Sequence, residues 1–321
     1  MTWYQSGTVY IRLPKNPTEF AGQVKPVMGF DLDGTLIWSD RGQEHMRGVD
    51  DWVFTSDLVP GFLQQSVKNG WVPVIITNQK FQKGNALPMK MARIDAVIAA
   101  AGVDPFVFMA TGNDAYRKPG VGTWQLFQQY SGILPRPESF YSGDAVGPND
   151  PNPMYRWADT DLKFAENAGL KFYRPEDLLP AQPPPELSGH QEFIVMVGQP
   201  GSGKTTFAQK LKDKNPERIT IISGDEFKSN SGRMLKAAEE ALKRGQTVII
   251  DATNPTRAGR SAYLQLAESY NLKPRIFWAT RPGKAWNALR AKPVPTIALN
   301  MYGSKFERPT VQEGASVERI N

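Results

Sequence analysis

Residues Gly29–Leu36 read GFDLDGTL, and the reading of this stretch decides the fold of the first half of the chain. VKPVM precedes it, so an apolar run ends in Asp31 and Asp33. On an extended strand, side chains at i and i+2 share a face. Two carboxylates side by side repel each other unless a cation or a shared proton relieves them. Magnesium is the natural relief, because it takes a few carboxylates together with phosphate and water oxygens. Asp31 is then placed to attack phosphorus, while Asp33 protonates the leaving alkoxide and later deprotonates water. The other reading of DLDG is an Asx-type turn closed by a glycine.

Working outward, WVPVIITNQ (Trp71–Gln79) repeats the pattern of a buried run, here ending in Thr77 and Asn78. PFVFMAT and SFYSGD continue as strands, and PGFLQQSVKNG and PMKMARIDAVIAAAG carry helical spacing between them. The alternation predicts an α/β domain with a parallel sheet whose strand ends carry function. Lys118 in YRKP and Asp144 in SGD follow in the right order to hold phosphoryl oxygens and a metal ion. Asp161 in ADTDLKFAENAG reads either as a support for that site or as a solvated acid at a helix start. About forty residues separate Thr35 from Thr77, and most are used by helices and strands. Little is left for a large cap, so the pocket is expected to stay open to the end of a polymer.

RPEDLLPAQPPPELSGHQ (residues 174–191) is proline-rich and poor in apolar residues, and reads as a linker. The expected organisation is a first domain over 1–173 and a second over 192–321. In the second, FIVMVG, RITIISGD, TVIIDATN and PRIFWAT read as strands, with TTFAQKLKDK and RMLKAAEEALKRG as helices. Between its first strand and helix stands GQPGSGKTT, which satisfies the phosphate-loop spacing G-x-x-x-x-G-K-[ST]. Gly198, Gly201 and Gly203 let backbone amides wrap the phosphates of ATP, and Lys204 supplies charge to them. Thr205 holds magnesium, and Thr206 beside it is expected to bind ATP as well. Asp225, closing ITIISGD, is placed to take the proton of an acceptor hydroxyl, or else to cap a helix at EFKSN. Asp251 closes TVIID, either on the substrate or magnesium side or as the first residue of a turn. Arg257, Arg260, Arg281 and Arg290 offer guanidinium groups for a phosphoryl-transfer transition state, or ordinary surface ion pairs.

The bulk composition sets bounds. With no cysteine among 321 residues, disulfides, thiolate metal sites and thiol nucleophiles are excluded, and His45 and His190 are the only imidazoles. The formal charge of +6 suits a polyanionic partner. No apolar run is long enough to span a bilayer and no leader opens the chain, so an intracellular protein without a membrane partner is expected.

DLDGT, ITNQ, YRKP and SGD together resemble the four motifs of the haloacid dehalogenase superfamily of magnesium-dependent phosphatases. The resemblance implies that Asp31 becomes an aspartyl phosphate, Asp33 is the acid and base, and Asp31, Asp33 and Asp144 face the metal. With GQPGSGKTT, Asp225, DATNP and MYGSKFERPTVQEG, the whole arrangement is similar to the polynucleotide kinase 3′-phosphatase family of the animal and viral type, from about Val27 onward. It implies removal of a 3′-phosphate and ATP-dependent phosphorylation of a 5′-hydroxyl on DNA or RNA ends, with a separate ligase as a further partner. It also implies that Thr77, Asn78, Lys118, Arg260 and Asp251 bind substrate and that Arg290 joins the ATP site. The residues before Val27 are too few for the forkhead-associated module of animal members. Gly224 stands where the family commonly has arginine, and KAWNALRAK is poorer in basic and amide residues than the usual lid, which bears on nucleotide and acceptor grip. The alternative is a phosphatase and kinase acting on small metabolites. A scaffold with decayed sites is disfavoured by intact Asp31, Asp33 and Lys204. Trp38, Trp52, Phe81 and Trp124 are expected as stacking aromatics near the first site.

Overall fold

The computed structural model describes residues 2–43, 46–79 and 86–321. His45 and Phe81 lie outside the described residues. The chain divides into two compact units, Met1–Trp38 with Arg47–Ala181, and Ser39–Met46 with Gln182–Asn321. The second unit thus begins within the expected linker and also takes up Ser39–Met46, which the sequence reading left with the first domain.

The first unit is built on a seven-stranded sheet. Its parallel part runs, in spatial order, Phe106–Ala110, Val72–Asn78, Val27–Phe30, Phe140–Ser142 and Lys171–Tyr173. An antiparallel hairpin, Trp3–Ser6 with Val9–Arg12, extends one edge. Val27–Phe30 and Phe106–Ala110 are buried at every position, as strands covered on both faces must be. The helix Ala86–Ala101 buries Ile94, Val97 and Ile98, and Gly122–Ser131 buries Trp124 and Phe127 in the main core. From Val27–Phe30 the chain first builds outward through Val72–Asn78 and Phe106–Ala110, then returns to the other side at Phe140–Ser142. That reversal opens a crevice at the carboxyl ends of the strands, where ligand sites of such sheets lie.

The second unit carries a five-stranded parallel sheet in the order Ile219–Ser223, Thr247–Asp251, Phe193–Val197, Arg275–Ala279 and Ser316–Ile320. The helix Lys204–Lys214 follows the central strand directly. Ser231–Lys243 starts where the Asn230 side chain accepts from the Arg233 N–H, and Arg257–Ser269 where Thr256 accepts from Gly259; each cap satisfies a donor the helix leaves open. Ser39–Met46 is tied into this unit by Asp40, whose Oδ2 accepts from Arg308 Nε at 3.0 Å. Arg308 in turn lies over the Trp278 ring. Gln43 packs on Gly303 so closely that a Cβ there would overlap its side chain.

Candidate active sites

In the first unit, the Asp31 N–H donates to Ser142 O at 2.8 Å, continuing the ladder between neighbouring strands one step past the strand end. This fixes the direction of the Asp31 side chain, which is 7% exposed. The next turn closes through Gly34 N–H to Ile37 O. Gly34 has φ +84°, and a Cβ on it would stand 2.2 Å from Asp144 Oδ2. Only glycine lets the nucleophile loop lie on that carboxylate. DLDG is therefore a turn, and its glycine lets it lie against Asp144; the two readings of the stretch are not exclusive.

Lys118 Nζ lies 2.6 Å from Asp31 Oδ1, 2.7 Å from Asp161 Oδ1 and 2.7 Å from Tyr141 Oη. Tyr141 donates its own hydroxyl hydrogen bond to Ile76 O. Asp31, Asp144 and Asp161 each offer an oxygen within 4.8 Å of the others, so three buried carboxylates cluster beside one ammonium, which pairs with two of them. Burial is the main reason the Asp31 pKa rises from 3.8 to about 7, helped by Asp161 and Asp33 and opposed by Lys118. Asp144 is raised well above the usual carboxylate range, again by burial first and then by Asp161 and Asp31. Burial works against the Lys118 charge, but Asp161 and Asp31 outweigh it and its pKa is raised. The surplus of negative charge, together with Asp144 Oδ1, a buried oxygen with no hydrogen-bond partner, fits a hard divalent cation such as magnesium. Asp33 stands outside this trio and accepts from Gln79 Nε2 at 2.6 Å.

Thr77, 1% exposed, accepts from the same Gln79 amide at 3.0 Å. Asn78 was expected to bind substrate, but its amide holds the Lys118 backbone from both sides, at 2.9 and 3.0 Å. These two bonds fix the backbone of that lysine. Gln79 and Tyr141 are members of this site that the sequence reading did not assign, and Asp161 is one that it left between two readings. Gln79 had a signal, since it lies at i+2 from Thr77 and so on the same face. Asp161 opens the helix Thr160–Ala168 yet is 1% exposed, which removes the reading as a solvated acid. Trp124 belongs to the core at 4% exposure, and Trp52 packs edge-on against Phe54. Trp157, which the sequence reading passed over, is 67% exposed and donates its indole N–H to Asp144 Oδ2 at 3.1 Å.

In the second unit, the phosphate loop joins the strand Phe193–Val197 to the helix Lys204–Lys214. Gly201, at φ +83°, passes so near Gly283 that a Cβ would stand 2.3 Å from its carbonyl oxygen. Lys204 Nζ donates to Gln199 O at 2.8 Å. Its pKa is lowered to about 8, mainly by burial, with Asp251 acting in the opposite sense. Thr205 Oγ1 donates to Asp251 Oδ2 at 2.7 Å, so Asp251 stands against the hydroxyl expected to hold the metal. Asp225 follows the edge strand Ile219–Ser223, with its side chain 90% exposed and Arg290 Nη2 3.6 Å away. No helix begins at Glu226, and Asn230 caps the one that follows; the Asp225 carboxylate is not used as a cap. Arg281 lies over the Trp286 ring, and Arg257 is 3.9 Å from Glu313.

Arg260 corrects an expectation. It is fully buried, grips Glu313 with Nε and Nη2 at 2.7 Å each, and donates to Asn254 O and Glu307 O. All of its donors face protein, so its role is to hold the segment after Asp251 to the end of the chain, not to bind substrate.

The two folds and their sites define a phosphoryl-transfer protein, with a buried carboxylate cluster on one sheet and a phosphate loop on the other. Residues 26–179 match the polynucleotide kinase 3 phosphatase family, and residues 193–309 match an AAA domain family. The chain is 31% identical to a bifunctional polynucleotide phosphatase/kinase of Schizosaccharomyces pombe, over 93% of this chain and 80% of that one. It is 27% identical to a putative bifunctional polynucleotide phosphatase/kinase of Acanthamoeba polyphaga mimivirus, over 98% and 88%. A polynucleotide 3′-phosphatase of Arabidopsis thaliana is 33% identical over 47% of this chain and 23% of its own length. The chain belongs to the bifunctional polynucleotide phosphatase/kinase family. Among the described residues, no helix is long and apolar enough to cross a membrane.

Proposed function

We infer that the protein heals broken nucleic-acid strands, removing a 3′-phosphate at the first site and phosphorylating a 5′-hydroxyl from ATP at the second. The observation that carries this is the presence in one chain of the Asp31–Lys118–Asp144 cluster and a phosphate loop at Lys204 and Thr205. Both align with relatives named for the two activities.

At the first site an Asp31 oxygen attacks the phosphorus of the 3′-phosphate and the P–O3′ bond breaks. Asp33, held by Gln79, gives a proton to O3′ and is left as the carboxylate. It then takes a proton from water, whose oxygen attacks the aspartyl phosphate; the bond to Asp31 breaks and inorganic phosphate leaves. Lys118 and Thr77 orient the phosphoryl oxygens. Asp31 and Asp144, with Asp161 near them, would hold magnesium, which when bound neutralises charge on nucleophile and phosphate.

At the second site Asp225 takes the proton of the 5′-hydroxyl, O5′ attacks the γ-phosphorus, and the bond to the bridging oxygen of ADP breaks. Lys204 and Arg290 neutralise the β- and γ-phosphates, the amides of Gly201 and Gly203 cradle them while the Gly198 N–H holds Thr253 O, and Thr205 with Asp251 would hold the second magnesium. The products are the ends a ligase joins, so a separate ligase is the natural consumer.

The test is a short oligonucleotide with a 5′-hydroxyl and a 3′-phosphate, incubated with magnesium and ATP and followed by mass. The wild type should convert both ends, Asp31→Ala only the 5′ end, and Lys204→Ala only the 3′ end. If neither end changes while small phosphate esters are hydrolysed, the substrate is not a polynucleotide.

A further inference from the structure

We propose that Trp157 is the platform on which the nucleobase of the 3′-terminal nucleotide stacks during dephosphorylation, an inference that rests on the polynucleotide reading of the first site. A single exposed apolar side chain is ordinary on a protein surface. Trp157 differs in where it is tied. The residue is 67% exposed, yet its indole N–H is fixed to Asp144, one of the three clustered carboxylates.

The segment that carries it is braced on both sides. Asn152 accepts from the Met154 N–H and caps the short 3-10 turn Pro153–Tyr155. Tyr155 O receives the N–H groups of Val146 and Gly147, just after the Asp144 loop. The Arg156 guanidinium donates to the carbonyls of Asp150 and Pro151. The indole is thus held with one edge on Asp144, while most of the residue is exposed. A strand whose terminal phosphate reaches Asp31 brings its last base beside that ring. An aromatic face accepts any base, because every base has a π surface. The exposed Arg156 next to it offers a cation to the adjoining phosphodiester.

The reading differs from a purely mechanical one, in which Trp157 only orients Asp144. Both Trp157→Phe and Trp157→Ala delete the N–H, and only the second deletes the ring. The experiment measures 3′-phosphate release by the full chain from two oligonucleotides, one with an intact terminal nucleotide and one whose terminal sugar is abasic. In the wild type, loss of the base should raise KM about tenfold, the size of a stacking contact. Trp157→Phe should keep that dependence, and Trp157→Ala should abolish it by raising KM for the intact strand alone. If both variants lose the same factor on both strands, the side chain serves only Asp144 and the proposal is wrong. If the wild type releases phosphate from neither strand, the polynucleotide reading fails, and this inference with it.

Discussion

The Lys118 ammonium sits 2.6 Å from the Asp31 carboxylate, with Lys118 only 3% exposed and Asp31 7%. A charge pair so enclosed contributes little net stability as a pair, but removing one member strands the other. Lys118→Met should therefore cost roughly 3–5 kcal/mol in chemical denaturation of the first unit. It should also lower 3′-phosphatase turnover by at least about a hundredfold, as loss of a positioned phosphoryl donor does. Phosphatase activity within a few-fold of wild type would remove Lys118 from the mechanism.

The acid cluster makes stability depend on pH in an unusual sense. Asp31 titrates near 7 in the folded chain against 3.8 as its ordinary value, so between those values the folded state holds the extra proton. Its contribution to stability is complete below about 4 and is lost as the pH rises through about 7. The raised Asp144 acts in the same direction. With a chelator present, the melting temperature of the first unit should fall from pH 5 to pH 8. Added magnesium should raise it more at pH 8 than at pH 5, because the ion replaces protons. A melting temperature that climbs over this range without metal would contradict the arrangement.

Arg260 and Arg257 lie one helical turn apart and should behave differently. Arg260→Met removes both guanidinium bonds to Glu313, leaving that half-buried carboxylate only the Thr310 N–H and the long contact to Arg257, and should destabilise the second unit by about 3–5 kcal/mol. Arg257→Ala removes a long, exposed contact worth less than about 1 kcal/mol. Urea unfolding of the two variants decides the point. A fully stable Arg260→Met that had lost only acceptor binding would restore the role expected from sequence.

Lys204 titrates near 8 in the folded chain, lowered mainly by burial. Bound triphosphate favours the charged form, so nucleotide affinity should hold below that pH and weaken as pH rises through it, by at most about tenfold per unit. Equilibrium binding of ATP between pH 7 and pH 9.5 checks this; a flat profile would mean that the ammonium is not sensed by the phosphates.

Much of the architecture was legible because its strands are buried on both faces and read as unbroken apolar runs. Phe193–Val197 and Thr247–Asp251 are such runs, the first leading straight into the phosphate loop and the second ending in Asp251. Ser316–Ile320 was not read as a strand, because an edge strand of SVERI has no apolar run and gains its place by pairing with Arg275–Ala279. At the sites, the motif glycines and aspartates were legible because backbone geometry and charge admit few substitutes. Arg260 was misread, and Asn78 was found engaged on protein, for a common reason: the atoms that make them good ligand binders serve equally well on protein carbonyls and carboxylates. Which partner they take depends on contacts across 40 to 53 positions of sequence. Trp157 lacked any local signal, since only the fold sets it on Asp144.

The Asp40–Arg308 pair has a consequence for how such a protein can be taken apart. Because Ser39–Met46 belongs to the second unit, a fragment starting at Gln182 would carry every motif of a kinase and still lack a strip of its own body. Exchange of this half between genes by a single break in the proline-rich stretch would leave Arg308 without Asp40 and Gly303 without its cover. The halves of this chain are therefore modules in space but not in the gene. A separately expressed kinase would have to bring eight residues from the other end of the reading frame.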